Sequence, residues 1–351
     1  MSELLTVRNL TVELPTARGW IRPVNEVSLR IGAGESLGLV GESGSGKTML
    51  ALALMGLLPA GARISGEAIL ALARAEEQNL AALDERRWRD LRGLDLAMVF
   101  QEPMTSLNPV MRVGDQIAEA ITTHFPKMKA VEVKQCVLDA LRLAAVPDPA
   151  VRSGQYPHQL SGGLRQRVMI AMAIVAGVSD PESATTPLEH RVPGTPLNPP
   201  RLLIADEPTT ALDVTVQKQI LELLDGLRRR LGLGLLFITH DLGVVARVAD
   251  RIVVMYAGRI VEEGLTKEVL QRPGHPYTQG LIAASPTLER GRLSPIPGTV
   301  PQLTELPPGC SFEPRCPVRL PECRLAVPSL RDAGDSHSAR CILVGQKVVV
   351  K

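Results

Sequence analysis

The octapeptide Gly41-Glu42-Ser43-Gly44-Ser45-Gly46-Lys47-Thr48 constrains this chain more than any other segment. It has the form G-x-x-x-x-G-K-[ST], a glycine-rich turn whose backbone N–H groups form an anion nest at a helix N-terminus. The motif has meaning only between a strand and a helix. The apolar run 37–40 reads as the strand, and the helix-forming run 49–58 reads as the helix. In that setting Gly41, Ser43, Gly44, Ser45 and Gly46 cradle a phosphate chain. Lys47 reaches its outer phosphates, and the Thr48 hydroxyl ligates Mg²⁺.

Composition narrows the frame. A chain of 351 residues suggests two or more domains. The 45% hydrophobic and 22% charged content is that of a soluble globular protein. A formal charge of +2 sets up no strong field for nucleic acid or acidic lipid, and 3% aromatics leaves little for base stacking. The first residues show no basic segment followed by an apolar core, so no signal peptide is expected. The longest apolar runs, 49–58 and 168–178, are too short to span a bilayer. The expected setting is cytosolic, where structural disulfides are rare.

Residues 4–14, 24–31, 37–40 and 64–72 read as strands, with a turn at 32–35. The charged stretch 84–92 reads as a helix, and 110–143 as mostly helical with a break at Phe125-Pro126. The runs 202–205 and 235–239 suit central parallel strands, and 252–256 reads as an antiparallel strand near an edge. Strands alternating with helices predict an α/β core. Residues 177–200, with six prolines, read as a surface insertion. From about 266 onward proline and cysteine density rises, and periodicity fades after 284. The expected division is therefore 1–265 and a C-terminal extension, 266–351.

Further motifs follow the phosphate loop in order. Gln101 comes after the apolar run 97–100. Ser161-Gly162-Gly163 opens a helix, with Ser161 as N-cap and two glycines that let a phosphate approach the backbone. Alone it would be an ordinary loop before a helix. Asp206 and Glu207 end an apolar strand, which places them at the carboxyl edge of a sheet rather than in a surface turn. Asp206 suits Mg²⁺ held through water, and Glu207 suits a general base for the attacking water. Asp213 and His240 complete the set.

This ordered series resembles the ATP-binding cassette family of transport ATPases over about residues 4–265. Leu160-Ser161-Gly162-Gly163-Leu164 corresponds to its LSGGQ-like motif, with Leu164 where the family often has Gln. The resemblance implies that Gln101 senses Mg²⁺ and water, that Asp213 belongs to the D-loop and that His240 contacts the γ-phosphate. It implies an α/β fold: a P-loop NTPase core with a mixed sheet, an antiparallel β-subdomain and an α-helical signature subdomain, plus a Cys-rich C-terminal extension. Trp20 is the candidate for adenine stacking, an exposed loop tryptophan being the alternative.

The segment 100–109, together with 156–160, 255–259, 275–278 and 296–301, is similar to the oligopeptide, dipeptide and nickel importer branch, nearest its D-type ATPase subunit. That implies ATP hydrolysis powering peptide import. The implied partners are an F-type second ATPase subunit, or a second copy head to tail, two membrane permease subunits and an extracytoplasmic substrate-binding protein. No nucleic acid partner is expected, and the implied location is peripheral, on the cytoplasmic face of the inner membrane. The alternatives are the same transporter type carrying nickel or another solute, and a soluble cassette ATPase acting on nucleic acid or the ribosome.

Cys310, Cys316, Cys323 and Cys341 have five, six and seventeen residues between them. A segment this poor in apolar residues suggests a metal staple. It lacks the tight C-x₂₋₄-C pair usual for structural zinc. The branch resembled here carries this pattern and is associated with a [4Fe–4S] cluster, which suits thiolate ligation. Zinc, with His337 as an added ligand, and free thiols or disulfides are the alternatives. Cys136 lies apart in a helical stretch as a small hydrophobe.

The insertion generates a first test. Replacing residues 177–200 with a short Gly/Ser linker should leave ATP turnover and expression largely intact, because its composition cannot support a packed core. Lost turnover in a folded deletion variant would show that the insertion contributes to the chemistry.

Overall fold

The computed structural model describes residues 3–72, 76–176, 199–210, 212–286, 288, 294–334 and 336–345. Residues 177–198 of the expected insertion lie outside the described residues. In chain order the strands are β1 Glu3–Thr16, β2 Gly19–Gly32, β3 Ser36–Val40, β4 Arg63–Ala71, β5 Glu77–Asn79, β6 Leu96–Val99, β7 Leu202–Asp206, β8 Gly234–Thr239, β9 Arg251–Tyr256, β10 Arg259–Leu265, β11 Arg331–Gly334 and β12 His337–Ala339. The helices are α1 Lys47–Leu54, α2 Glu85–Leu91, α3 Pro103–Ser106, α4 Val113–His124, α5 Ala130–Leu143, α6 Pro149–Arg152, α7 Gly162–Val175, α8 Val214–Leu231, α9 Leu242–Val248, α10 Thr266–Gln271 and α11 Pro276–Ala284. The chain divides into two compact units. One comprises Met1–Leu4, Gly32–Gly34 and Leu83–Leu235; the other comprises Leu5–Ile31, Glu35–Ala82 and Leu236–Lys351.

In the first unit β6 and β7 pair in parallel, from Leu96 opposite Leu202 to Val99 opposite Ala205. Every residue of both strands is buried, as in parallel strands covered on both faces. Helices α4, α5 and α7 pack pairwise. α5 buries Val133, Val137, Ala140 and Leu141, a stripe at helical spacing. The expected break falls between α4 and α5, where Glu132 Oε2 accepts the Lys129 N–H at 3.1 Å and starts the second helix. In α8, Asp213 Oδ1 accepts the Thr215 and Val216 N–H groups at 3.1 and 2.9 Å. Arg228, Arg229 and Arg230 fill its last turn, where they complement the helix dipole.

In the second unit an antiparallel sheet runs β2-β1-β4-β5, with Leu5, Val7 and Val12 opposite Leu70, Ala68 and Ile64. The mixed sheet of this unit runs β11-β12-β10-β9-β3-β8. Here the structure corrects the sequence reading of 252–256. β9 is interior: it pairs in parallel with β3, Leu37 opposite Arg251 to Val40 opposite Val254, and antiparallel with β10. The outer neighbours come from β10 and from the distant tail strands, which periodicity within 252–256 cannot reveal. α1 also ends earlier than the expected 58. It ends at Leu54 with Met55 as its C-cap, and Gly56, at φ 63°, turns the chain so that the Leu57 N–H reaches the Leu52 carbonyl at 2.8 Å.

The tail docks through a buried polar knot. β12 pairs with β10, Glu262 opposite Ala339. Glu262 is fully buried. Its Oε1 accepts the Gly274 N–H at 2.6 Å and lies 2.6 Å from His337 Nε2, while its Oε2 accepts the His275 N–H at 2.9 Å. His275 Nδ1 in turn accepts the Tyr277 N–H at 3.0 Å and caps α11. Burial pushes the His275 pKa down to about 4, with Glu262 acting in the opposite direction and Arg340 adding to the depression.

A depressed histidine leaves the unfolded chain binding more protons between the two pKa values. The stability from neutral His275 is therefore complete above about pH 6.5 and is lost as pH falls from there towards 4. Urea unfolding should weaken through that window with a contribution of up to about 1.4 kcal/mol per pH unit. His275→Asn keeps a capping acceptor without the titration and should flatten this limb. Equal slopes in both proteins would refute the assignment.

Candidate nucleotide-binding site

The phosphate loop leaves β3 and enters α1 through Gly46, the N-cap, at φ 106°. A Cβ there would fall 1.9 Å from the Pro23 carbonyl oxygen, so both conformation and space demand glycine. At Gly41 a Cβ would fall 2.2 Å from the Met255 carbonyl oxygen at the end of β9. The Gly258 N–H donates to the Ser45 carbonyl at 2.9 Å and braces the loop from the β9–β10 turn. Ser43, Gly44 and Thr48 are exposed, and the space around Gly44 is open. Lys47 Nζ donates to the Gly41 and Glu42 carbonyls at 2.7 and 2.9 Å and lies 3.4 Å from Ser45 Oγ. An ammonium held over an open nest of backbone N–H groups at a helix start fits a phosphate chain. His240, also in this unit, is exposed just after β8.

In the first unit Glu207 follows β7 at φ 46°, a left-handed conformation that costs a non-glycine residue on the order of 1–3 kcal/mol. Two side chains meet on its Oε2: Gln101 Nε2 donates at 3.2 Å and the Thr210 hydroxyl at 2.9 Å. The structure thus brings together Gln101 and Glu207, 106 positions apart in the chain. Asp206, one residue earlier, is 2% exposed.

Ser161 caps α7, its hydroxyl accepting the Leu164 N–H at 3.4 Å, and Ser161 and Gly162 are exposed. Gly163 has a packing reason as well: a Cβ there would fall 2.6 Å from Val216 Cγ1 in the first turn of α8. Gly162 faces Leu212, and Asp213 caps α8, so the Ser161 segment and Asp213 lie in one neighbourhood. Trp20 is 44% exposed, with the Arg63 guanidinium 3.9 Å over its ring.

Cys310, Cys316, Cys323 and Cys341 line one cavity together with His275, Phe312 and Val318. Burial pushes the Cys310 and Cys341 thiols up, and Cys316 up to about 11. The Leu343 N–H donates to Cys341 Sγ at 3.4 Å, favouring that thiolate. All five cysteines are free thiols, with Cys136 apart in α5. Among the described residues no group of three or more His, Cys, Asp or Glu is set to hold a single metal ion. His337, considered above as a zinc ligand, is engaged with Glu262 and does not line the cavity.

Three contacts had no signal strong enough to read from sequence. Thr210 sits three residues after Glu207 in an unremarked turn. Tyr277 lies in a motif that carried resemblance but no role, and its hydroxyl accepts the Glu42 N–H at 2.8 Å. Arg315, next to Cys316, pairs with Glu42.

No helix among the described residues is long and apolar enough to cross a membrane. Residues 24–179 match the ABC transporter family, and 261–323 match the oligopeptide/dipeptide transporter C-terminal region. The chain is 43% identical over 350 residues to the dipeptide transport ATP-binding protein DppD of Bacillus subtilis, covering 99% of this chain and 96% of that one. It is 42% identical over 351 residues to the oligopeptide transport ATP-binding protein OppD of Haemophilus influenzae, covering 99% of each. A bacterial ABC transporter cassette solved as a dimer is similar in structure, with a TM-score of 0.60 and 25% identity, over 75% of this chain and 99% of that one. The chain therefore belongs to the ATP-binding cassette family of transport ATPases, in the branch that carries the oligopeptide/dipeptide transporter C-terminal region.

Proposed function

We propose that this chain binds and hydrolyses ATP to power the import of peptides through a membrane permease. The observation that carries this reading is the similarity to dipeptide and oligopeptide transport ATP-binding proteins along the whole chain, tail included. Gly41, Ser43, Gly44, Ser45 and Gly46 bind the phosphates through backbone N–H groups and hydroxyls. Lys47 exchanges the Gly41 and Glu42 carbonyls for phosphate oxygens. Thr48, Asp206 and Gln101 serve Mg²⁺, which when bound neutralises charge on the phosphates. Glu207, held by Gln101 and Thr210, takes the proton of the attacking water. His240 contacts the γ-phosphate. Ser161, Gly162, Gly163 and Asp213 serve the nucleotide of a partner cassette, in a head-to-tail pair with an F-type subunit or a second copy.

The assembly would include two permease subunits and an extracytoplasmic substrate-binding protein, with this chain at the cytoplasmic face of the membrane. Glu207→Gln should keep ATP binding and lower hydrolysis by about 10²-fold or more, assayed in the assembled transporter with the partner's site disabled. Near-normal turnover would remove Glu207 from the base role.

We also propose that Cys310, Cys316, Cys323 and Cys341 ligate a [4Fe–4S] cluster. Four thiols around one cavity, with the Leu343 N–H donating to Cys341 Sγ, support thiolate ligation. The cluster would have a structural or regulatory role, since the nucleotide motifs end well before Cys310. Protein purified without air should be brown with about four irons per chain, and Cys316→Ser should lose the colour while ATP still binds. Stoichiometric zinc without iron would move the site to the zinc reading, and titratable thiols without metal would end both.

A further inference from the structure

We propose that Arg315 is a positioning residue for nucleotide binding: it reaches from the cysteine-rich tail into the phosphate loop and neutralises Glu42. The proposal rests on the reading of residues 41–48 as the phosphate site. Glu42 is the loop's one acidic side chain, and a carboxylate in an anion nest opposes a polyphosphate. The structure meets that charge with a two-pronged ion pair. One Arg315 guanidinium nitrogen lies 2.6 Å from Glu42 Oε2 and the other 3.0 Å from Oε1.

The arginine is itself fixed. Its Nε donates to the Pro297 carbonyl at 3.0 Å, Nη1 lies 3.4 Å from the Tyr256 hydroxyl, and its side chain is 4% exposed. The tail also takes the backbone of Glu42, through the Tyr277 hydroxyl. Phe312, three residues before Arg315, sets its ring edge-to-face against Tyr256, centroids 5.3 Å apart, and tilted against Tyr277 at 5.4 Å. Cys316, the next residue, lines the thiol cavity. Whatever orders the four cysteines therefore also orders the guanidinium. Without it, the loop would present an uncompensated carboxylate to ATP.

The test is a double-mutant cycle on the full chain, read as the Kd for MgATP, with folding checked by thermal melts. Arg315→Gln should weaken MgATP binding by about tenfold or more in the native background, and by less than about twofold in a Glu42→Gln background. Arg315→Lys keeps the charge without the fork and should stay within about threefold of the native protein. Equal losses in both backgrounds, or Lys failing as badly as Gln, would overturn the proposal by making Arg315 a purely structural contact. If Arg315→Gln does not fold, the Lys variant and the Glu42→Gln protein still decide, since charge neutralisation requires Glu42→Gln to bind MgATP at least as tightly as native. Lys47→Ala is the control: undiminished MgATP affinity there would instead bring down the phosphate-loop reading itself.

Discussion

The parallel pairing of β3 with β9 is the constraint on which the phosphate loop depends. The register that sets Val40 opposite Val254 carries the Met255 carbonyl to where a Cβ of Gly41 would lie. The turn that follows β9 then donates the Gly258 N–H to Ser45, and the Asn25 N–H donates to the Gly258 carbonyl at 2.8 Å. The loop is thus pressed between backbone on several sides and keeps its open face at Ser43 and Gly44. An anion nest works because its N–H groups already point outward, so no reorganisation is needed when a phosphate arrives. The rigidity comes from β9 and its turn, more than 200 residues away in the chain.

The buried carboxylate beneath the tail of the second unit is accommodated by pairing. Glu262, fully buried, is met by two backbone N–H groups and by His337. Such a group is costly to bury unless its acceptors are filled, and here each oxygen has a donor or ring nitrogen beside it. The knot fixes the tail on β10 and positions His275 to cap α11. Tyr277, at the second position of that helix, then reaches the loop. The tail is therefore tied into the same unit as the phosphate loop by named contacts, whatever its metal content.

The strain at Glu207 belongs to the same economy of design in the first unit. A left-handed backbone at a non-glycine residue persists only where neighbours over-determine it. Gln101 and Thr210 both donate to one carboxylate oxygen and orient the side chain. Gly163 shows a second use of a motif residue. Its lack of a side chain admits Val216 of α8, so the glycine that suits phosphate approach also sets the distance between two helix starts.

Much of this was legible in the chain itself, because local chemistry carries it. The G-x-x-x-x-G-K-T turn, the capping residues Ser161 and Asp213, the buried run ending in Asp206 and Glu207, and the break before α5 are all decided within a few residues. The cysteines, too, could be singled out by their setting in a proline-rich tail. What only the tertiary structure decided are pairings across long separations. β9 is interior because β10 and the tail strands supply its outer neighbours, and no periodicity within six residues encodes that. Glu42 is tied to Tyr277 and Arg315, 235 and 273 positions away, and His337 serves Glu262 rather than the thiol cavity. Sequence patterns report which face a residue turns to the core. Which residue waits on the other side is settled when the whole chain packs.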